Sequence, residues 1–295
     1  MPESGIKFVP QKELLSYEEM HRLVKILSEM GIKKVRITGG EPFVRKDLIH
    51  FLEKLSRLPI ELHITTNGVL TTPYLSKLKA IGVKSINLSL DSLDRHRFAE
   101  ITRRDELDKV MDCFQAILDH DIALKVNMVV MKDNQDDILP MAALIEKYPV
   151  AVRFIEEMPF NGSNGFKPSL SHSEIVTKLA EQYPRMKPLK FESGETAYKY
   201  KIEGMPGELG SIAAFTRTFC GSCNRIRITA KGQLKTCLYD NGVLDLKDLL
   251  KNEVSDDEIK TALATAFRSR PKDGFEAEKD SKNLSSRESM STIGG

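Results

Sequence analysis

The sequence predicts an α/β protein carried by a parallel sheet, followed by a smaller segment of different character. Three observations predict it. Up to about Met158, short apolar runs of strand length alternate with stretches of helical period. Small and polar residues collect where each of those strands should end. Beyond Met158 the alternation breaks, and three of the four cysteines gather in one stretch. Repeated strand–helix units leave two architectures open, a doubly wound sheet and an open or closed barrel.

The elements follow in order. Ser16-Tyr17-Glu18-Glu19 has the form of a capping box, and Met20, Leu23, Val24, Leu27 and Met30 recur at helical spacing until Gly31. Residues 34–38 read as a strand that stops at Gly39-Gly40-Glu41-Pro42, and a helix over about 47–58 follows. Residues 62–66 are the next strand, closed by Asn67-Gly68; Thr72 then caps a helix with Pro73 in its first position and Gly82 at its end. Strands over 85–90, 123–130 and 151–155 alternate with helices over about 106–120 and 141–147. Further on come a loop at 161–165, a capped helix from Ser171-His172-Ser173-Glu174, short strands within 198–237, and helices near 246–251 and 256–268. The last twenty or so residues are rich in Ser, Lys and Glu without apolar period, which predicts disorder.

In either architecture the chemistry sits at the carboxyl ends of the strands. Here those ends carry Gly39-Gly40-Glu41, Thr65-Thr66-Asn67-Gly68, Ser89, Asp91 and Glu156-Glu157-Met158. Each taken singly is also ordinary turn chemistry; the set points to a site. Lys125 and Arg153 stand inside otherwise apolar strands, where a buried cation is costly unless an anion meets it or the side chain snorkels out.

Cys220-Gly-Ser-Cys223, thirteen residues and Cys237 form the strongest motif. The intervening residues alternate as a hairpin, with Ala230-Lys231-Gly232 turning the chain, which should set Cys237 beside Cys223. Three soft thiolates suit an iron–sulfur cluster or zinc. A structural zinc wants a fourth ligand, which must then come from a distant residue. Arg225 and Arg227, two apart on a predicted strand, share a face and suit a phosphate or purine edge; the alternative is a solvated strand face. Cys113 reads as a helix-core residue and His63, in a strand, as a packed, satisfied histidine, with a functional role the alternative.

Composition bounds the function. A chain of 295 residues holds one large domain or two ordinary ones, and a net charge of +2 gives no single-sign field for nucleic acid or membrane. Met1-Pro2-Glu3-Ser4-Gly5 opens no signal peptide, no run is long and apolar enough for a bilayer span, and a disulfide finds no secretory context. A reducing cytoplasm is expected. No Walker loop, Gly-x-Ser-x-Gly elbow or His-Glu-x-x-His occurs.

Arg36-Ile37-Thr38-Gly39-Gly40-Glu41-Pro42 resembles the glycine motif of radical S-adenosylmethionine (SAM) enzymes. Within them, Thr65-Thr66-Asn67-Gly68, Asn87-Leu88-Ser89-Leu90-Asp91, Arg153-Phe154-Ile155-Glu156, the cysteine motif with Asn224-Arg225-Ile226-Arg227, and the terminal Ile293-Gly294-Gly295 resemble, in order, the GTP 3',8-cyclase family of molybdenum cofactor biosynthesis. The resemblance covers nearly the whole chain. It implies a partial (β/α) barrel over 1–158, a smaller iron–sulfur domain over 159–275 and a flexible tail over 276–295. It implies a [4Fe-4S] cluster on Cys220, Cys223 and Cys237, its open iron facing GTP; GTP contacts from Arg36, Thr65, Lys125, Arg225, Ile226 and Arg227; and a SAM pocket lined by Gly40, Ser89 and Met158. Arg153 would face the substrate, and Gly294-Gly295 would reach into the active site with it. The implied reaction cleaves SAM to a 5'-deoxyadenosyl radical, which takes hydrogen from C3' of GTP so that C3' closes on C8. Implied partners are GTP, an electron donor and a later cyclic pyranopterin monophosphate synthase step, with the protein a monomer or homodimer.

One element of the family pattern is missing from this sequence. A first cluster needs Cys-x3-Cys-x2-Cys after the first barrel strand, running straight into Met-Pro-Glu, and this sequence starts at Met1-Pro2-Glu3. The expectation is a fragment of a longer enzyme that carries SAM and the other [4Fe-4S] cluster only at full length. The alternative is a catalytically inactive protein that binds metal and nucleotide.

Overall fold

A computed structural model describes residues 10–158 and 166–281. Its main sheet has eight strands: β1 Lys34–Ile37, β2 Glu61–Thr66, β3 Ser85–Ser89, β4 Ala123–Val130, β5 Ala151–Glu156, β6 Met186–Pro188, β7 Ala197–Ile202 and β8 Glu208–Ile212. They lie in the order β1-β2-β3-β4-β5-β8-β7-β6. β1 to β5 run parallel, β8 joins parallel to β5, and β7 and β6 extend the sheet antiparallel. The five predicted strands and their helical crossovers are therefore present, and the predicted α/β class with them.

Local chemistry sets the elements. Helix Tyr17–Glu29 opens on the Ser16–Glu19 capping box. The helix after β2 is entered by a 3-10 turn, Thr72–Tyr74, so Thr71 rather than Thr72 precedes it; it runs Leu75–Ile81 and ends at Gly82 with φ 86°. Helix Arg95–Thr102, capped by Asp94, was not foreseen.

The pleat separates two faces. Ile64, Ile86, Leu88, Leu124, Val126, Met128, Val130, Val152 and Phe154 are buried against Phe51, Leu52, Leu78, Phe114 and Ile117 of the helices, forming the main core. The alternate residues of the same strands include Arg36, His63, Thr65, Ser85, Asn87, Lys125, Asn127 and Arg153, with Glu61, Val129, Ala151 and Ile155 on the same face. A filled α/β barrel places branched apolar side chains there; this sheet places mostly polar and cationic ones.

The halves interlock. β6 to β8, Ile175 and Leu179 of helix His172–Gln182, and Tyr183 at its end belong to the main sheet and core, although they lie beyond Met158. A second sheet, β9 Arg227–Ile228, β10 Gln233–Lys235 and β11 Leu244–Asp245, carries the hairpin. Its Leu234 joins Leu246, Leu250, Ile259 and Leu263 in a second core completed by Leu15, Leu23, Ile26 and Leu27. Arg22 bonds Asp256 at 2.8 Å and the Val254 carbonyl at 2.6 Å across the same seam.

Candidate functional site

Register brings the polar face together in rows. Arg36 lies beside His63, and His63 beside Ser85; Thr65 lies beside Asn87, and Asn87 beside Lys125; Ser89 lies beside Asn127, and Asn127 beside Arg153. Opposite Arg153 on β8 stands Gly210, where an added Cβ would sit 3.2 Å from Arg153 Cγ. Glycine leaves the space through which the arginine stem passes.

Four cations converge on this face and repel one another. Burial, then Arg225 and Arg153, lowers Arg36 to about 10. Burial, then Arg153 and Arg36, lowers Lys125 to about 8, with Glu208 opposing. Burial and Arg225 lower Arg153, and burial lowers Arg225. Arg36 and Arg225 nonetheless expose more than a third of their surface. Among the described residues no carboxylate forms an ion pair with Lys125, Arg153 or Arg225, while Arg36 donates to the Ile64 carbonyl at 3.1 Å. Like charges held together under burial call for an anion.

The cysteine loops are anchored from below. Glu156, at the end of β5 and 1% exposed, accepts from the Phe215 and Thr216 amides at 2.7 Å and from His172 N at 2.5 Å. That fixes the turn leading from β8 into Cys220–Ser222, a single 3-10 turn. Asp240 accepts from the Thr236 and Cys237 amides at 2.7 Å and fixes the other loop. Buried Arg217 stacks 3.7 Å above Tyr239 and 4.4 Å from Phe275, and bonds Gly274 O and Glu278. Helix Gly274–Ser281 therefore docks on the cysteine loops, correcting the predicted disorder over 276–281; the diglycine, Gly294 and Gly295, lies outside the described residues.

Two hairpin expectations also change. The ladder has two pairs, Ile228 with Leu234 and Arg227 with Lys235, and its register continued would set Cys237 opposite Arg225 rather than Cys223. Arg225 precedes β9, and Ile226 turns its side chain to the second core, leaving its backbone for a ligand. Cys220, Cys223 and Cys237 are half-buried free thiols; burial raises Cys220 and Cys237, and each of these two also feels the charge of another of the three. Among the described residues no three His, Cys, Asp or Glu side chains stand close enough to hold a single ion. Cys113 is 0% exposed in helix Leu107–Asp119, with its thiol pushed up to about 11 by burial: a core residue.

Gly40, Ser89 and Met158 lie at the carboxyl ends of β1, β3 and β5, with the Tyr239 hydroxyl 3.6 Å from Met158 Sδ. Glu41 ties the carboxyl ends of β1 and β2 together: it accepts from Asn67 N at 2.8 Å, Thr66 Oγ1 at 2.9 Å and Phe43 N at 3.2 Å. Asp91, pushed up to about 6 by burial, accepts from Val129 N at 2.8 Å. Sequence reading missed the anchoring parts of Glu156, Asp240, Arg217 and Gly210, which depend on long-range partners.

Residues 3–145 match the radical SAM superfamily and residues 150–276 match Molybdenum Cofactor Synthesis C. The GTP 3',8-cyclase of Syntrophomonas wolfei is 40% identical over 277 residues, 92% of this chain and 85% of that protein. This chain belongs to the GTP 3',8-cyclase family. The family member of Thermodesulfovibrio yellowstonii is 37% identical over 302 residues, 100% of this chain and 92% of that one. Human molybdenum cofactor biosynthesis protein 1 is 38% identical over 271 residues, but they make up 43% of that longer protein. Streptococcus suis SuiB, solved bound to S-adenosylmethionine, shares the fold with TM-score 0.59 at 17% identity, over 83% of this chain and 61% of its own. Expectation and finding agree on fold class and family.

Proposed function

We propose that this chain binds GTP, with the triphosphate on Arg36, Lys125, Arg153 and Arg225 and the purine turned toward Cys220, Cys223 and Cys237. It serves the radical SAM conversion of GTP to 3',8-cyclo-7,8-dihydro-GTP, the first step of molybdenum cofactor biosynthesis. The cation cluster carries the reading: it is assembled from β1, β4, β5 and the cysteine hairpin, and among the described residues no carboxylate pairs with Lys125, Arg153 or Arg225. A triphosphate is an anion of matching charge and reach.

The donor sets fit the family's groups. Cys220, Cys223 and Cys237 would hold a [4Fe-4S] cluster, and Gly40, Ser89 and Met158 would line SAM. When bound, the cluster supplies an iron coordination position and SAM the hydrogen-abstracting chemistry. The chain's own residues do the rest. The four cations neutralise and orient the phosphates, Thr65 offers a hydroxyl beside them, and Ile226-Arg227 offers backbone and side-chain donors at the purine end. Gly294 and Gly295 are assigned to the active site by sequence resemblance. The four cysteines of this sequence supply one three-thiol set, so the ligands of a SAM-binding cluster are not among its residues. An electron donor, a later enzyme that consumes the cyclic product, and a cytoplasmic location complete the reading; among the described residues no helix is long and apolar enough to cross a membrane.

Anaerobic reconstitution with iron and sulfide, followed by equilibrium dialysis, tests it. The expected outcome is a brown protein with about four irons per chain that binds GTP far more tightly than guanosine. A colourless protein with stoichiometric zinc, or equal affinity for GTP and guanosine, refutes it.

A further inference from the structure

His63 is the one histidine on the sheet's polar face. Its β1 neighbour is Arg36 and its β3 neighbour is Ser85, whose Oγ lies 2.8 Å from Nδ1. The other ring nitrogen, Nε2, is buried without a hydrogen-bond partner among the described residues. The nearest carboxylate, Glu61 Oε2, stands 3.5 Å from it, too long for a well-formed bond, and that side chain is 47% exposed and also reaches Lys34 at 3.8 Å. A packed, satisfied histidine uses both nitrogens. Leaving one buried and unpaired is costly, about 1–3 kcal/mol, so the idle nitrogen calls for a partner that the described chain lacks.

The surroundings name its chemistry. Burial first, then Arg36 and Lys125, lower His63 to about 4, with Glu61 opposing, so the ring is neutral at physiological pH. A neutral imidazole beside two cations adds a directed hydrogen bond without adding further repulsion. With Ser85 donating to Nδ1, Nε2 carries the hydrogen and donates. The row that holds His63 lies toward the amino end of β2, away from the carboxyl ends of the strands where Gly40, Ser89 and Met158 sit. A nucleotide spanning the site would bring its last phosphate to that row.

We propose that His63, set by Ser85, donates through Nε2 to the terminal phosphate of the bound nucleotide and so distinguishes a triphosphate from a diphosphate. The inference rests on the GTP reading above and adds a specificity residue to it. As the phosphate arrives, the positive field of Arg36 and Lys125 is neutralised, and Nε2 gains its missing partner.

The test compares the affinities of GTP and GDP at pH 7.5 by anaerobic equilibrium dialysis of the iron-reconstituted protein, for wild type, His63→Ala, His63→Gln and Ser85→Ala. One hydrogen bond to a charged phosphate is worth roughly a tenfold change or more. The expected result is a GTP/GDP affinity ratio that falls about tenfold in His63→Ala, with GDP affinity kept as the sign of an intact fold. His63→Gln, which can still present an N–H, should recover part of the ratio, and Ser85→Ala should lower it less than His63→Ala does. In ¹⁵N spectra the His63 ring nitrogen should shift with GTP and not with GDP. Equal losses for the two nucleotides, or an unchanged ratio in His63→Ala, overturn the inference and leave the GTP reading standing. A wild type that binds neither nucleotide overturns both.

Discussion

Lys125→Met should stabilise the ligand-free protein while abolishing tight nucleotide binding. Methionine keeps the apolar stem of the side chain and removes its charge. Burial and the charges of Arg153 and Arg36 bring Lys125 to about 8 from an ordinary 10.5. At 1.36 kcal/mol per unit that is roughly 3 kcal/mol of disfavoured charge as an upper bound; the polar face is open to water, so about 1–2 kcal/mol is the working figure. The sign follows from proton counting. Between about pH 8 and 10.5 the unfolded chain holds this proton and the folded chain does not, so stability rises with pH across that window and the full cost is present at pH 7. Thermal melts at pH 7 should show the variant about 2–8 °C more stable, with a flatter response between pH 8 and 10. Calorimetric titration supplies the other half. Phosphate binding pulls the Lys125 proton affinity back up, so wild-type GTP binding should take up protons above pH 8 and weaken as pH rises, and the variant should show neither. A variant that melts lower than wild type, or that binds GTP as before, would refute the idea that this face is a strained anion site.

Three further changes probe separate parts. Gly210→Val puts methyl groups where an added Cβ already lies 3.2 Å from Arg153 Cγ; GTP affinity should fall about tenfold or more while overpacking costs about 1–3 kcal/mol in melts. Glu156→Gln turns an amide toward the Phe215 and Thr216 N–H donors; a loss of about 2–4 kcal/mol and reduced iron retention are expected, and unchanged iron content would show that the Cys220 loop is fixed by something else. Cys113→Ala should keep all its iron and lose about 1 kcal/mol of stability, and iron loss in that variant would overturn the assignment of Cys113 to the core.

What sequence could deliver was decided by range. β1 to β5 are short apolar runs bounded by Gly, Asn or Asp, so their existence and parallel pairing were legible, as were Lys125 and Arg153 as cations out of place among apolar neighbours. Helix Arg95–Thr102 was not, because Phe98 is its one buried residue and no apolar period marks it. The joining of β8 to β5 depends on pairing across more than fifty residues, and no local pattern encodes it. The hairpin was legible as a hairpin but not in register, because the regular ladder ends before either cysteine. Helix Gly274–Ser281 has the composition of a tail; Arg217, more than fifty residues earlier, holds it through Gly274 O and Glu278. His63 looked like a packing residue because nothing in a sequence tells which ring nitrogens find partners.

The anchors and the strain belong to one design. Arg36 and Arg153 come from the barrel strands and Arg225 from the hairpin, and each like charge opposes the approach of the others. Contacts away from the site must therefore hold the hairpin over the sheet when no anion is present. The second core does so, with Leu234 packed among Leu15, Leu23, Ile26 and Leu263, and so do Arg22–Asp256, Lys260–Glu29 at 2.8 Å and the Lys247 bonds to the Lys12 and Leu14 carbonyls. Apolar burial far from the site offsets repulsion within it. The polyphosphate then meets cations already in place, so binding need not supply the cost of gathering them, and the same repulsion that weakens the empty fold becomes affinity for the anion.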